Sequence, residues 1–122
     1  MISSDRLHLA RETNDSNCIG TAFFLAGINP VDGYISTKSA GSYLERMVQL
    51  PTAQPGAIVA FRSTSNPGWI SHLAVIVGTN PLQVTHRSQR AAPLEENRLL
   101  EYVSAWYAED HTREFYDPTT YV

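Results

Sequence analysis

The sequence predicts an α+β fold, with helices first and an antiparallel sheet after them, on three observations. Apolar residues recur at helical spacing after residue 18 and again after residue 39. From Pro55 onward, short apolar runs rich in β-branched residues alternate with turn residues. The turn Gly78-Thr79-Asn80-Pro81 then joins two of those runs as a hairpin would. The chain has 122 residues, 43% of them hydrophobic and 10% aromatic. That is one ordinary domain, 1–122, able to bury roughly two-thirds of the surface its unfolded form exposes.

Each element has its own signal. Asn14-Asp15-Ser16-Asn17 offers N-cap residues, Ile19, Ala22, Phe23 and Ala26 follow at helical spacing, and Gly27 with Pro30 stops the run, so a helix is expected over about 18–26. A second helix is expected over about 39–50, with Tyr43, Leu44, Met47 and Leu50 as its buried stripe and Pro51 closing it. Strands are expected at 57–61, at 72–77 (apolar on both faces, hence central) and at 82–87. The polar stretch 63–71, with Pro67-Gly68, reads as a loop. Beyond Pro93, Leu99, Val103 and Trp106 fit a helix, while Leu100, Tyr102, Ser104 and Trp106 alternate; a strand near 99–104 is the reading adopted.

Charge and cysteine count remove whole classes of function. Lys and Arg number 9 against 12 Asp and Glu, a net charge of −3 with no basic stripe, which argues against nucleic acid as a partner. A single cysteine excludes an intrachain disulfide. No signal peptide and no membrane span can be read, as expected of a cytoplasmic protein, of a trimmed chain or of one exported without a signal. No cofactor is implied, and the oligomeric state is left open.

The chemistry lies in Cys18, His72 and His86. A cysteine at a helix start meets unpaired N–H groups and a partial positive charge, which favour the thiolate and can also hold an oxyanion. A lone cysteine is also, more commonly, a small buried hydrophobe. Paired residues of an antiparallel hairpin sum to a constant, which for His72 and His86 puts the tip at Thr79, inside the expected turn. The two imidazoles would then face each other, roughly 5 Å apart at Cβ, with His72 as base toward Cys18 and His86 fixing its tautomer. An ion pair would place the thiol below about 8.5 and His72 above about 6.5. Equally, both histidines could be solvated strand ends. The same three residues could bind zinc, but a closed site needs four ligands, and His8 and His111 read as surface residues. Arg62, Arg87, Arg90 and Arg98 form either a positive rim near His86 or a solvated face with local partners, and Trp69 is either a cleft wall or ordinary packing.

These residues resemble a family. Pro55-Gly56-Ala57-Ile58-Val59-Ala60-Phe61, then Ser71-His72-Leu73-Ala74-Val75-Ile76-Val77-Gly78, then Val84-Thr85-His86, with Asn17-Cys18-Ile19-Gly20 before them, look like the NlpC/P60 cysteine peptidases, a papain-like group akin to the amidase-type CHAP domains. The resemblance covers about 18–88 and rests on order and spacing. It implies N-terminal helices packed on a central antiparallel sheet, the Cys18 helix against its histidine-bearing face. It also implies hydrolysis of an amide or isopeptide bond, often in bacterial cell-wall peptides, through an acyl-thioester. Carried over, Cys18 is the nucleophile, His72 the base and then acid, and His86 the orienting third residue. Three positions depart from the pattern. Ala57 stands where an acidic residue is usual, Asn17 stands where aspartate is usual, and no tyrosine precedes Cys18 to donate to the oxyanion; Asn14, Asn17 or His8 could substitute. A peptide or amide is the expected substrate. The alternatives are acyl transfer by the same Cys/His pair, or a non-catalytic binding module retaining the fold.

Overall fold

Polar caps decide where the helices begin. In the computed structural model, which describes residues 2–122, the Ser3 hydroxyl accepts from the Arg6 N–H and opens α1 (Ser4–Glu12). Only Ala10 of this helix is buried, so it carries almost no apolar stripe and left no periodic signal in the sequence. Asn17 caps α2 (Cys18–Leu25), all eight residues of which are buried, close to the expected 18–26. Ser36 caps α3 (Thr37–Leu44).

The second helix is shorter than expected. It ends at Leu44, with Glu45 as its C-cap, and the last part of the expected 39–50 helix is the edge strand β1 (Val48–Leu50). Met47 and Leu50 match a helical stripe, but pairing of Val48 with Asp117 and of Leu50 with Phe115 overrides it. The expected strands appear as β2 (Ile58–Ser63), β3 (Ile70–Thr79) and β4 (Leu82–Arg87), with the expected loop confined to 64–69. The strand expected near 99–104 is a correction. β5 lies earlier, at Leu94–Leu99, and helix α4 (Leu100–Ser104) follows, because Leu100 and Val103, three apart, both pack into the core beside Val84. A 3-10 turn (Ala105–Tyr107) leads to β6 (His111–Asp117).

The six strands form one antiparallel sheet in the order β1-β6-β2-β3-β4-β5. Alternation along the strands sends Ile58, Ala60, Leu73 and Val75 to one face, under α2 and α3, and Val59, Phe61, Ala74, Ile76 and Val84 to the other, under α4. Among the described residues no helix is long and apolar enough to cross a membrane.

Two details of the sheet position the site. β3 and β4 pair Val75 with Thr85 and Ile76 with Val84, then slip before Gly78–Gln83 and Thr79–Leu82. Continued past Val75, that register sets His72 opposite Ser88 rather than His86, so the direct pairing expected from a tip at Thr79 is corrected to a diagonal one. The slip near the turn moved the tip. Beyond Val75, moreover, the two strands pair no further, and α2 packs against both of them.

Candidate active site

Asn17 fixes the start of α2 with its whole side chain. Its Oδ1 accepts from the Gly20 N–H (3.0 Å) and the Ile35 N–H (3.2 Å), and its Nδ2 donates to the Ile35 carbonyl (2.7 Å). These bonds tie both ends of the amide to the backbone of Gly20 and Ile35. Asn14 is exposed, and His8 lies 3.4 Å from Glu12 on the surface of α1.

Arg87 holds the same corner from beneath. Its fully buried guanidinium donates to the Thr21 hydroxyl (2.8 Å), the Ala10 and Ala92 carbonyls (2.8 and 2.6 Å) and Asp32 Oδ2 (3.2 Å). That joins α1, α2 and β4. The positive rim is therefore not formed. Arg87 is internal, Arg62 donates to Glu114, Tyr116 and the Pro67 carbonyl, Arg90 pairs with Asp15 over the Tyr34 ring, and Arg98 pairs with Glu95. Each has the local partner of a structural arginine.

Cys18, His72 and His86 are 8%, 1% and 4% exposed, so neither histidine is a solvated strand end. The sheet separates them differently from the expectation. α2 packs on the face bearing Leu73 and Val75, whereas His72 points to the other face, against Phe61 (ring centroids 5.9 Å apart). The link between them is the strand itself: the N–H of Leu73, the residue after His72, is directed at the thiol. His72 Nε2 and His86 Nδ1 are 2.8 Å apart, with the rings at right angles. Nδ1 of His72 and Nε2 of His86 are buried and make no hydrogen bond among the described residues, so the thiol and His72 are not directly bonded.

Burial dominates the electrostatics. It pushes the Cys18 thiol up, against the pull of the N–H groups of Leu73, Ile19 and Cys18 itself. It drives His72 down to about 3, with His86 acting in the same direction. At neutral pH both groups rest uncharged, and the ion pair expected from the helix terminus is replaced by a neutral thiol and imidazole. Burial lowers His86 as well, opposed by Glu95, whose Oε1 is 3.7 Å from His86 Nε2.

Two further residues complete the cluster, neither of them read from the sequence as part of the site. Tyr107 lies flat on the His72 ring (5.3 Å between centroids, 12° between planes) and stacks on Phe61 at 4.9 Å. Burial, and then the nearby Cys18, push its phenol up to about 12. Glu95 enters through β5, where it pairs with His86. Both come from the stretch whose helix and strand signals overlapped, so only a correct assignment of β5 and α4 could have pointed to them. His111, expected at the surface, is half-buried, bonded to the Ser71 hydroxyl (2.8 Å) and the Glu109 carbonyl (2.7 Å). It lines a groove of about 370 Å³ beside Tyr107, which Trp69, 37% exposed on the β2–β3 loop, does not reach. Among the described residues no cluster of His, Cys, Asp and Glu is arranged to hold a metal ion.

No family model, no curated protein and no solved structure matches this chain.

Proposed function

We propose that the chain is a cysteine-dependent hydrolase of an amide or isopeptide bond, acting through an acyl-thioester on Cys18 in a papain-like fold of the NlpC/P60 kind. One observation carries the reading. His72 is clamped through Nε2 by His86 while its buried Nδ1 has no partner, and the N–H of the next residue, Leu73, faces the thiol. A buried imidazole with one free nitrogen next to a nucleophile is a base in waiting.

In the proposed chemistry, Cys18 Sγ attacks the carbonyl carbon as its proton passes to His72 Nδ1. The C–N bond of the tetrahedral intermediate breaks, and the same proton leaves with the amine. Water, deprotonated by His72, then attacks the thioester, releasing the acid and restoring the thiol. Because thiol and imidazole start neutral, proton transfer accompanies attack, and the short movement that brings them together belongs to substrate binding. The Tyr107 hydroxyl, kept protonated by its raised pKa, donates to the oxyanion alongside the Cys18 N–H at the start of α2. A substrate amine in place of water makes the same thioester an acyltransferase intermediate.

The test measures alkylation of Cys18 by iodoacetamide, and acyl-adduct formation from a panel of peptidyl and γ-glutamyl coumarin amides by mass spectrometry. Adducts on Cys18, absent in Cys18→Ala, with both adduct formation and alkylation slowed at least about tenfold in His72→Ala, are expected. No adducts, together with alkylation indifferent to His72→Ala, would leave a binding module that keeps the fold.

A further inference from the structure

The two buried histidines share one proton contact, and the contact alone does not say which way it points. Neutral imidazole carries hydrogen on one nitrogen only. Between His72 Nε2 and His86 Nδ1, 2.8 Å apart, one must donate and the other accept. If His86 donates, Nε2 of His72 is the acceptor and the hydrogen of His72 lies on Nδ1, which then cannot take a proton. If His72 donates, Nδ1 is its lone pair and faces outward as a base. A base at His72 therefore requires that Nδ1 of His86 be bare and that Nε2 of His86 carry its hydrogen.

We propose that Glu95 makes this choice, as a positioning residue that sets the direction of the hydrogen bonds from β5 through His86 to His72; the inference rests on the reading of His72 as a base. Glu95 is register-paired with His86 and half-buried, and its Oε1 lies 3.7 Å from the otherwise unpartnered Nε2 of His86. A carboxylate is an acceptor only, so it favours hydrogen on Nε2 and excludes the reverse arrangement. Among the described residues no other carboxylate lies within ion-pair distance of His86. His72 occupies Nδ1, and Arg98, whose Nε is ion-paired to the same Oε1 at 3.2 Å, holds the carboxylate in place. At 3.7 Å the contact is longer than a hydrogen bond, and a small rotation of the glutamate closes it.

Side-chain nitrogen resonances of the uniformly 15N-labelled protein read the tautomers directly and need no turnover. In the wild type, His72 and His86 are both expected with hydrogen on Nε2. Glu95→Ala should return a mixture in which hydrogen appears on Nδ1 of both rings, and should slow iodoacetamide alkylation of Cys18 about tenfold or more, since a wrong tautomer disables a base without removing it. Glu95→Gln, which keeps an acceptor oxygen without the charge, should retain most of the Nε2 form, a rescue that a purely structural role would not show. Hydrogen on Nδ1 of His72 in the wild type, or tautomers unchanged in Glu95→Ala, would overturn the inference. If His72→Ala still slows alkylation in that case, the base reading survives without Glu95. If the tautomers respond to Glu95→Ala while alkylation ignores His72→Ala, Glu95 selects the tautomer and the base reading fails.

Discussion

Tyr107 shows how one side chain can serve two purposes that a pair of substitutions separates. Its ring covers His72, and its hydroxyl lies where the charge on sulfur is felt. Tyr107→Phe keeps the cover and deletes the donor, so turnover in the coumarin assay is expected to fall roughly 10²-fold through kcat, with KM little changed, as for loss of one oxyanion donor. An equal rise in KM would place the hydroxyl in substrate binding instead. Cys18, His72 and His86 were legible in the sequence because their elements are short, strongly patterned and bounded by turn residues. Tyr107 was not, because a tyrosine in a segment of mixed periodicity carries no mark of the ring it will cover. Asn17 was legible as a cap but not as an anchor, since Ile35, which uses both ends of its amide, lies in a loop without pattern.

At the scale of elements, α2 depends on a close approach that helix propensity alone would misjudge. Alanine replaces glycine inside a helix with a gain of about 1 kcal/mol in the general case. At Gly20, however, an added Cβ would run into the backbone carbonyl of Gly33, which no rotamer can relieve. Gly20→Ala is therefore expected to cost roughly 2–4 kcal/mol in urea unfolding, and to slow Cys18 alkylation by tilting the first turn of α2. Gly41→Ala in α3, where a Cβ meets nothing within 4 Å, is the control, and should be neutral or stabilising. Equal effects at both sites would remove the packing argument. The sequence disclosed α2, β2, β3 and β4 through apolar runs that are buried almost throughout. It concealed β1, β5 and β6, whose residues are largely half-buried or exposed, because none is an apolar run: β1 and β6 are defined by partners distant in the chain, and β5 by its pairing with the neighbouring β4.

For the whole molecule, burying neutral histidines ties stability to pH. Folded His72 takes a proton only at about 3, whereas the unfolded chain does so near 6.5. As pH falls through that interval the unfolded state binds the proton first, so stability present above about 6.5 is lost progressively on acidification, by up to about 1.4 kcal/mol per pH unit from this group. His86, lowered as well, acts in the same sense. Urea unfolding at pH 7 and 4.5 should show the wild type losing about 2–3 kcal/mol more than His72→Gln. Identical losses would mean that the folded protein accommodates the charge.

The strand order has a further consequence, one of timing. β6 is the last strand in the chain, yet it occupies an interior place between β1 and β2. A nascent chain that has passed residue 100 already contains Cys18, His72, His86 and Glu95, but the flank of β2 is bare, and Tyr107 has not yet been added over His72. Until His111–Asp117 emerges and completes the sheet, the thiol belongs to an unfinished fold and reacts as any exposed cysteine does. The nucleophile thus comes into being only when the strand that completes the sheet arrives.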